Sequence, residues 1–506
     1  MTAKLIESDN EVVEAHAALL GRLLAVAPWI VVDADTVTQT AARGAGPLLD
    51  LLAREVRERE DPELIWLLLA AALAAFPDAD EVRYTLRSLR TVAADDAMGV
   101  LLRAGLRNPI GMATQSEVRV VSGIVVDVDF CAKHRHNTGI QRVVRETVRR
   151  WDRDHELTLI GWTAAGTAMR SLEGVERDRV LNWASVESLP DARPIDPPGA
   201  HLIIPFRATV VVPEVPQLTQ TTALAGLAEY SGNTIAMIGY DMIPIVSPNT
   251  VPDAEIEKYS RYLTVVKHAD RIAGISAAAA AEFAGFSSAL PAQGIHGPDA
   301  FAVALPVNIP DPIGDPTSAP SSRPMVLCVG SQEPRKNHAA VLWAADALWR
   351  EGLDFELVFI GGGSAENLAA FDRRLRRLVR AGRPVAARRG VEDTDLLAAY
   401  RAARFSIFPS IQEGYGLPVA ESLAVGTPVI TTNYGPTAEI GADGGCLLVN
   451  PRNDVAIEDA MRLLLQDDAE LERLTQEIRE RPLRSWEDYA GELWRRLVLG
   501  DGGADV

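Results

Sequence analysis

Glu413 and Glu421 stand eight positions apart in the segment Glu413-Gly-Tyr-Gly-Leu-Pro-Val-Ala-Glu421, where the glycines let backbone approach a ligand closely. An ionised carboxylate accepts from two hydroxyls at once, so acids beside a glycine turn suit a polyhydroxylated ligand such as a sugar. Without a ligand, the same residues read as a helix N-cap and a surface glutamate. A second candidate is the adjacent pair Arg335-Lys336 in SQEPRKNHAAVLWAADAL. Two positive charges beside the free N–H groups of a helix start suit a pyrophosphate; the alternative is a solvated pair on a turn. Third, Thr138-Gly139 precedes a helix on which Ile140, Val144, Val148 and Trp151 recur at three- and four-residue spacing. Arg142, Arg145 and Arg149 fall on another face, which suits anionic lipid or polymer, or simply water. Fourth, Tyr240-Asp241 ends an apolar run, where the aspartate could orient an acceptor hydroxyl or cap a strand end.

Each set needs a rigid element to aim it. FSIFPS (405–410), MVLCVG (325–330), LVFIGGGS (357–364), GIVVDVDF (123–130) and TIAMIGYDMIPI (234–245) are apolar runs that read as strands, the first as a buried parallel one. Helix-patterned segments alternate with them, and such βαβ units bind ligands at the carboxyl ends of their strands. YLTVVKHADRIAGISAAAAAEFAGF (262–286) reads as helix, strand and a second helix capped by Ser276. The expected class is therefore α/β, with two doubly wound Rossmann-like domains over 116–310 and 325–480. A Pro-, Ser- and Gly-rich linker at 311–324 joins them. Residues 1–115 carry helical periodicity and form an all-α extension, suited to oligomerisation, to docking a partner or to buttressing the next domain. SWEDYAGELWRRLV, within 481–506, reads as a closing helix.

In this order the blocks resemble the retaining glycosyltransferases of group 1 (the GT4 family), whose GT-B fold sets two Rossmann-like domains across a cleft. The likeness covers most of 118–498 and is strongest over 325–451, where GPTAEI and CLLVNP continue the pattern. Glu413 and Glu421 fit the family's Glu-x7-Glu pattern, and Arg335-Lys336 its Pro-Arg-Lys-Asn loop. Thr138 to Arg142 resembles a subgroup with a Thr-Gly-Ile-x-Arg motif. The resemblance implies that Glu413 and the backbone at Gly414, Tyr415 and Gly416, with Leu417 following, meet the donor sugar, and that Glu421 accepts from the ribose. Arg335 and Lys336 would neutralise the leaving nucleoside diphosphate beside the turns at Gly330 and Gly362. Thr138, Gly139 and Arg142 would reach toward the diphosphate or the acceptor, with Asp241 among the catalytic groups. The family often has His-Asp where this chain has Tyr240-Asp241, and a phenol donates a hydrogen bond but forms no imidazolium.

The implied activity moves a mannose- or glucose-like hexose from a nucleotide-diphosphate sugar to a saccharide or glycolipid, with retention by front-face substitution, in bacterial cell-surface polysaccharide assembly. It needs no cofactor and no metal, since Asp127-Val-Asp129 reads as part of a strand and the basic pair can stabilise the leaving group. The rival readings are a non-catalytic scaffold of the same fold and a nucleotide-sugar epimerase. A net charge of −19 over 506 residues argues against nucleic acid as a partner. The run RRLRRLVRAGRPVAARRG (373–390) reads as a solvated helix and loop. Three widely spaced cysteines fit no disulfide framework and point to a reducing cytoplasm. The start lacks signal-peptide character, and the apolar run at 64–76 is too short to cross a bilayer. Any membrane contact would then be peripheral, on the cytoplasmic face.

Overall fold

The computed structural model describes residues 9–107, 117–137, 139–193, 195–197, 199–306, 323–482 and 484–501. Thr138 and nearly all of the 311–324 segment lie outside the described residues. Six helices come first: α1 (Asp9–Ile30), α2 (Ala34–Ala41), α3 (Ala45–Arg59), α4 (Pro62–Leu73), α5 (Ala79–Thr91) and α6 (Ala97–Arg107). Asp33, Asp61 and Asp78 accept from first-turn amides of α2, α4 and α5, which satisfies donors a helix start leaves open. α1 holds a stretch, Val12–Ile30, long and apolar enough to cross a membrane, a feature the sequence reading had sought only at 64–76. Here its Leu23, Val26, Ala27 and Ile30 are fully buried, and it packs against α3 and α4.

The helices share one core with the sheet that follows. Trp29 meets Phe206 edge-on at 5.3 Å, and Phe76 meets Trp162 at 5.9 Å. Of the roles open to this extension, buttressing the first sheet is the one its packing displays.

That sheet has nine strands: β1 (Val118–Val121), β2 (Ile124–Asp127), β3 (Thr158–Trp162), β4 (Met169–Ser171), β5 (Leu202–Pro205), β6 (Thr209–Val212), β7 (Thr234–Gly239), β8 (Arg271–Gly274) and β9 (Asp299–Ala302). Their order is β1-β5-β4-β3-β2-β6-β7-β8-β9, with β4 antiparallel to both neighbours and the other pairs parallel. The second sheet holds β10 (Met325–Val329), β11 (Glu356–Ile360), β12 (Val385–Arg388), β13 (Phe405–Phe408), β14 (Val429–Thr432) and β15 (Cys446–Val449). It is parallel throughout, in the order β12-β11-β10-β13-β14-β15. β13 is buried along its whole length because helices cover both faces, which is why FSIF shows no alternation. The chain leaves β10 toward β11 and β12, then returns to β13 on the other side. Loops after β10 and β13 therefore diverge at a switch point, where open α/β sheets bind ligands. β2, flanked by β3 and β6, marks the equivalent point of the first sheet.

Two readings need correction. The strand drawn through 123–130 stops at Asp127, and Asp129 opens α7 (Asp129–Lys133). The basic run at 373–390, read as helix and loop, also includes the edge strand β12. The helix Trp486–Leu493 returns to the first domain and packs on α8 (Gly139–Asp154), where Trp151 Nε1 donates to the Ala490 carbonyl at 2.9 Å.

Candidate active site

The second switch point gathers three charges. After β10 the chain makes a short turn, Pro334–Lys336, and Asn337 takes a left-handed conformation (φ 58°) that starts the helix His338–Arg350. After β13 comes the loop 409–416. The loops are tied together because Ile411 N donates to the Arg335 carbonyl at 2.7 Å. Glu413 lies between the basic residues: Arg335 meets its Oε2 at 3.0 Å, and Lys336 Nζ meets its Oε1 at 2.6 Å. Ser410 Oγ donates to Oε1 at 2.5 Å. No side chain of the three is more than 15% exposed.

Burial pulls Lys336 below the usual lysine range, with Glu413 opposing. Burial also acts on Arg335, but Glu413 and Glu333 outweigh it and hold that guanidinium above its ordinary value. Two cations thus face two carboxylates, Glu413 between them and Glu333, which meets Arg335 at 2.9 Å. Buried cations held this way suit an anion only where it takes the place of a carboxylate. The acid assigned by resemblance to the sugar and the bases assigned to the diphosphate thus form one cluster, already paired with one another.

Glycine makes these loops possible. A Cβ on Gly361 would run into the Gly330 carbonyl, so the close approach falls on Gly361, whereas Gly362 is exposed with open space around it. A Cβ on Gly414 would stand 2.7 Å from the Tyr240 carbonyl, across the domain boundary.

Asp241, at the end of β7, flanks Gly414 and accepts from Ile243 N at 3.0 Å. Burial raises its pKa, while Arg335 and Lys336 pull it back. Tyr240 points elsewhere. It is buried, its hydroxyl donates to the Pro213 carbonyl at 2.7 Å, and burial lifts the phenol well above its ordinary value. It therefore supplies no hydroxyl to the cleft. Ser276 caps its helix through Ala279 N and donates to the Gly414 carbonyl at 3.0 Å.

Glu421 sits on the helix Leu417–Ala424 and accepts from the Tyr400 hydroxyl at 3.2 Å; burial raises its pKa. With Gly139, Arg142 and Leu417 it lines a cavity of about 30 Å³. That holds a water or two, so a nucleoside beside Glu421 requires the domains to part. Several contacts hold them together. Glu439 accepts from Ala277 N and Ala278 N at 2.8 and 2.7 Å, Gln412 bonds Ser247 and Glu282, and the buried Tyr415 donates to the Leu305 carbonyl at 2.9 Å.

Three features escaped the sequence reading. Arg145 is buried rather than solvated and donates to the carbonyls of Arg179, His136, Cys131 and His134, which fixes the loop leading to Gly139. Gln332 and His338 are buried beside the basic pair, and their Oε1 and Nε2 atoms have no hydrogen-bond partner among the described residues. Burial, then Lys336, pushes His338 down to about 4, so its imidazole is neutral at physiological pH. The only trace in the sequence is a histidine directly after Arg-Lys-Asn.

Residues 313–481 match the family described as Glycosyl transferases group 1. The second domain is a group 1 glycosyltransferase domain. The chain is 26% identical over 380 residues to a serotype-specific mannosyltransferase WbdA of Escherichia coli, across 71% of this chain and 43% of that protein. It thus spans less than half the length of that relative. An O-antigen chain mannosyltransferase B of Escherichia coli is 34% identical over 151 residues, 28% of this chain and 37% of its own. Among solved structures, sucrose-phosphate synthase from Thermosynechococcus elongatus superposes with a TM-score of 0.52 at 16% identity, covering 75% of this chain and all of that one. The architecture is GT-B, and the charged cluster lies where loops of the second sheet meet the first domain.

Proposed function

We propose that this chain transfers a hexose, with mannose the first candidate, from a nucleoside-diphosphate sugar to a saccharide or glycolipid acceptor in cell-surface polysaccharide assembly. The observation that carries the reading is the buried Arg335–Glu413–Lys336 cluster at the switch point of the second sheet. The mannosyltransferase relatives favour mannose and a polysaccharide context.

On this reading Arg335 and Lys336 meet the diphosphate and take up the charge that develops as it leaves. Glu413, freed from part of its pairing, accepts from sugar hydroxyls, and Glu421 accepts from the ribose. Asp241 lies across the boundary from Gly414, on the acceptor's side, and orients the incoming hydroxyl. The departing phosphate oxygen removes the hydroxyl proton on the same face, which retains the anomeric configuration. Closure over the donor excludes water. The reaction takes place on the cytoplasmic side, with any membrane contact peripheral.

The test is a panel of GDP-, UDP-, dTDP- and ADP-linked sugars, with NMR following nucleotide release and anomer, on wild type, Lys336→Ala and Glu421→Ala. Slow hydrolysis of one donor, lost in both variants, supports the reading and names the donor. Binding without turnover, even with oligosaccharides added, favours the scaffold, a reading that gains from the inward-facing Tyr240 hydroxyl. Absence of any nucleotide binding overturns the assignment.

A further inference from the structure

A cavity of about 470 Å³ opens on the first domain between α8 and the short helices α9 (Val175–Leu181) and α10 (Trp183–Val186). Arg142 lines both this cavity and the small space beside Glu421, so the two adjoin. Along α8, Arg142, Arg145 and Arg149 recur at three- and four-residue steps and so share a flank. The break at Asn182 between the two short helices sets Trp183 against that flank, and the Arg145 guanidinium lies 3.9 Å from the indole ring centre.

The charges do not cancel. The hydrogen bonds of Arg145 run to carbonyl and carboxamide oxygens, so its bonding neutralises none of its charge. Arg149 is paired with Glu146 at 2.5 Å, a carboxylate shared with Arg150, which has Glu487 as well at 2.6 Å. Arg142 makes no ion pair among the described residues, and the carboxylate it acts on is Glu421, across the adjoining space. A positive wall is notable in a chain of net charge −19. The remaining lining includes Asn137, Asn182, Ser185 and the half-buried Trp183: amides and a hydroxyl that match sugar hydroxyls, and an apolar ring that matches the C–H face of a pyranose. The volume suits one or two sugar rings.

We propose that this cavity is a subsite for an anionic saccharide, a sugar unit bearing a phosphate or a carboxylate. The ring stacks on Trp183 and the anion meets Arg142 and Arg149. Calling it part of the acceptor site rests on the transferase reading; the binding itself does not. Arg145 also holds the loop that leads to Gly139, where an added Cβ would stand 2.8 Å from Leu417, so an occupant here abuts the element that touches the donor domain.

The test titrates the full chain calorimetrically with mannose, mannose 6-phosphate, glucuronate and inorganic phosphate. The same is done for Trp183→Ala and for Arg149→Glu, an exposed change that spares the fold. At least one charged sugar should bind about tenfold or more tighter than mannose, and whether it is the phosphate or the carboxylate identifies the anion. Both variants should lose about tenfold for that probe while nucleoside diphosphate affinity stays unchanged. Equal affinity for mannose, equal affinity for bare phosphate, or displacement by nucleoside diphosphate each overturns the proposal. Charged-sugar binding that survives where no nucleotide binds supports the subsite while removing the transferase reading.

Discussion

The two sheets place charge at the same topological position and use it in opposite ways. At the switch point of the second sheet, Arg335 and Lys336 are held by Glu413 and Glu333 in a charged cluster at the domain boundary. At that of the first, Asp127, Asp129 and Glu214 are all buried and turned inward. Asp129 pairs with Lys133 at 2.6 Å and accepts from Trp162 N; Asp127 accepts from the Trp162 indole at 2.7 Å; Glu214 accepts from Phe130 N and Cys131 N. These acids cap α7 and pin the end of β3. A switch point is thus a geometric opening that a sequence can fill with its own backbone donors as readily as it offers it to a ligand.

The contrast breaks first on Lys336→Ala. Losing the buried ammonium should lower turnover by about a thousandfold, or about 4 kcal/mol, whereas Asp127→Asn should leave turnover nearly untouched. A reversal of that pattern in steady-state assays, with both variants folded, would erase the distinction.

Next comes acidity. Burial raises Glu214 from 4.5 to about 7 and Asp127 well above its ordinary value. A raised carboxyl pKa means the folded state keeps a proton that the unfolded chain releases. That stabilisation is full below about pH 4.5 and lost as pH rises through about 7. At about 1.4 kcal/mol per pH unit, Glu214 alone amounts to about 3 kcal/mol. Urea unfolding of the first domain should therefore show greater stability at pH 5 than at pH 8, with a flatter profile in Glu214→Gln; an unchanged profile would refute this account.

The domain boundary yields a smaller effect. Glu439→Ala removes two bonds to the helix Ala277–Ala289 and should weaken closure by about 1–2 kcal/mol. Hydrogen exchange should quicken at 411–416 while the Phe130 and Cys131 amides keep their protection; equal change at both would deny that only one region opens. Smallest is Tyr240→Phe, which strips the Pro213 carbonyl of its donor and should cost about 1 kcal/mol of stability, with turnover within about threefold of wild type.

The second region was legible and the first was not, for a physical reason. Arg335-Lys336 and Glu413 through Glu421 sit in short contiguous blocks, each running from a strand end into a helix, so residue order showed their charge and their place in the fold. Glu214 meets Phe130 across 84 positions, and no local pattern announces that pairing. Asp129 was read into a strand because the apolar run before it has no breaker; its bond to Trp162 N, 33 residues on, belongs to the tertiary fold. Arg145 looked solvated because helical spacing cannot tell a face covered by a loop from one covered by water. The nine-stranded order of the first sheet was likewise hidden, since β4 enters antiparallel between β3 and β5.

Trp494 packs edge-on against Trp151 at 5.5 Å, and Tyr489, Leu493 and Leu497 are fully buried in a core shared with Val144 and Val148. On the ribosome those residues emerge only after the whole second domain has been made. The first domain therefore waits with one apolar flank of α8 uncovered throughout that interval, until this helix arrives to cover it.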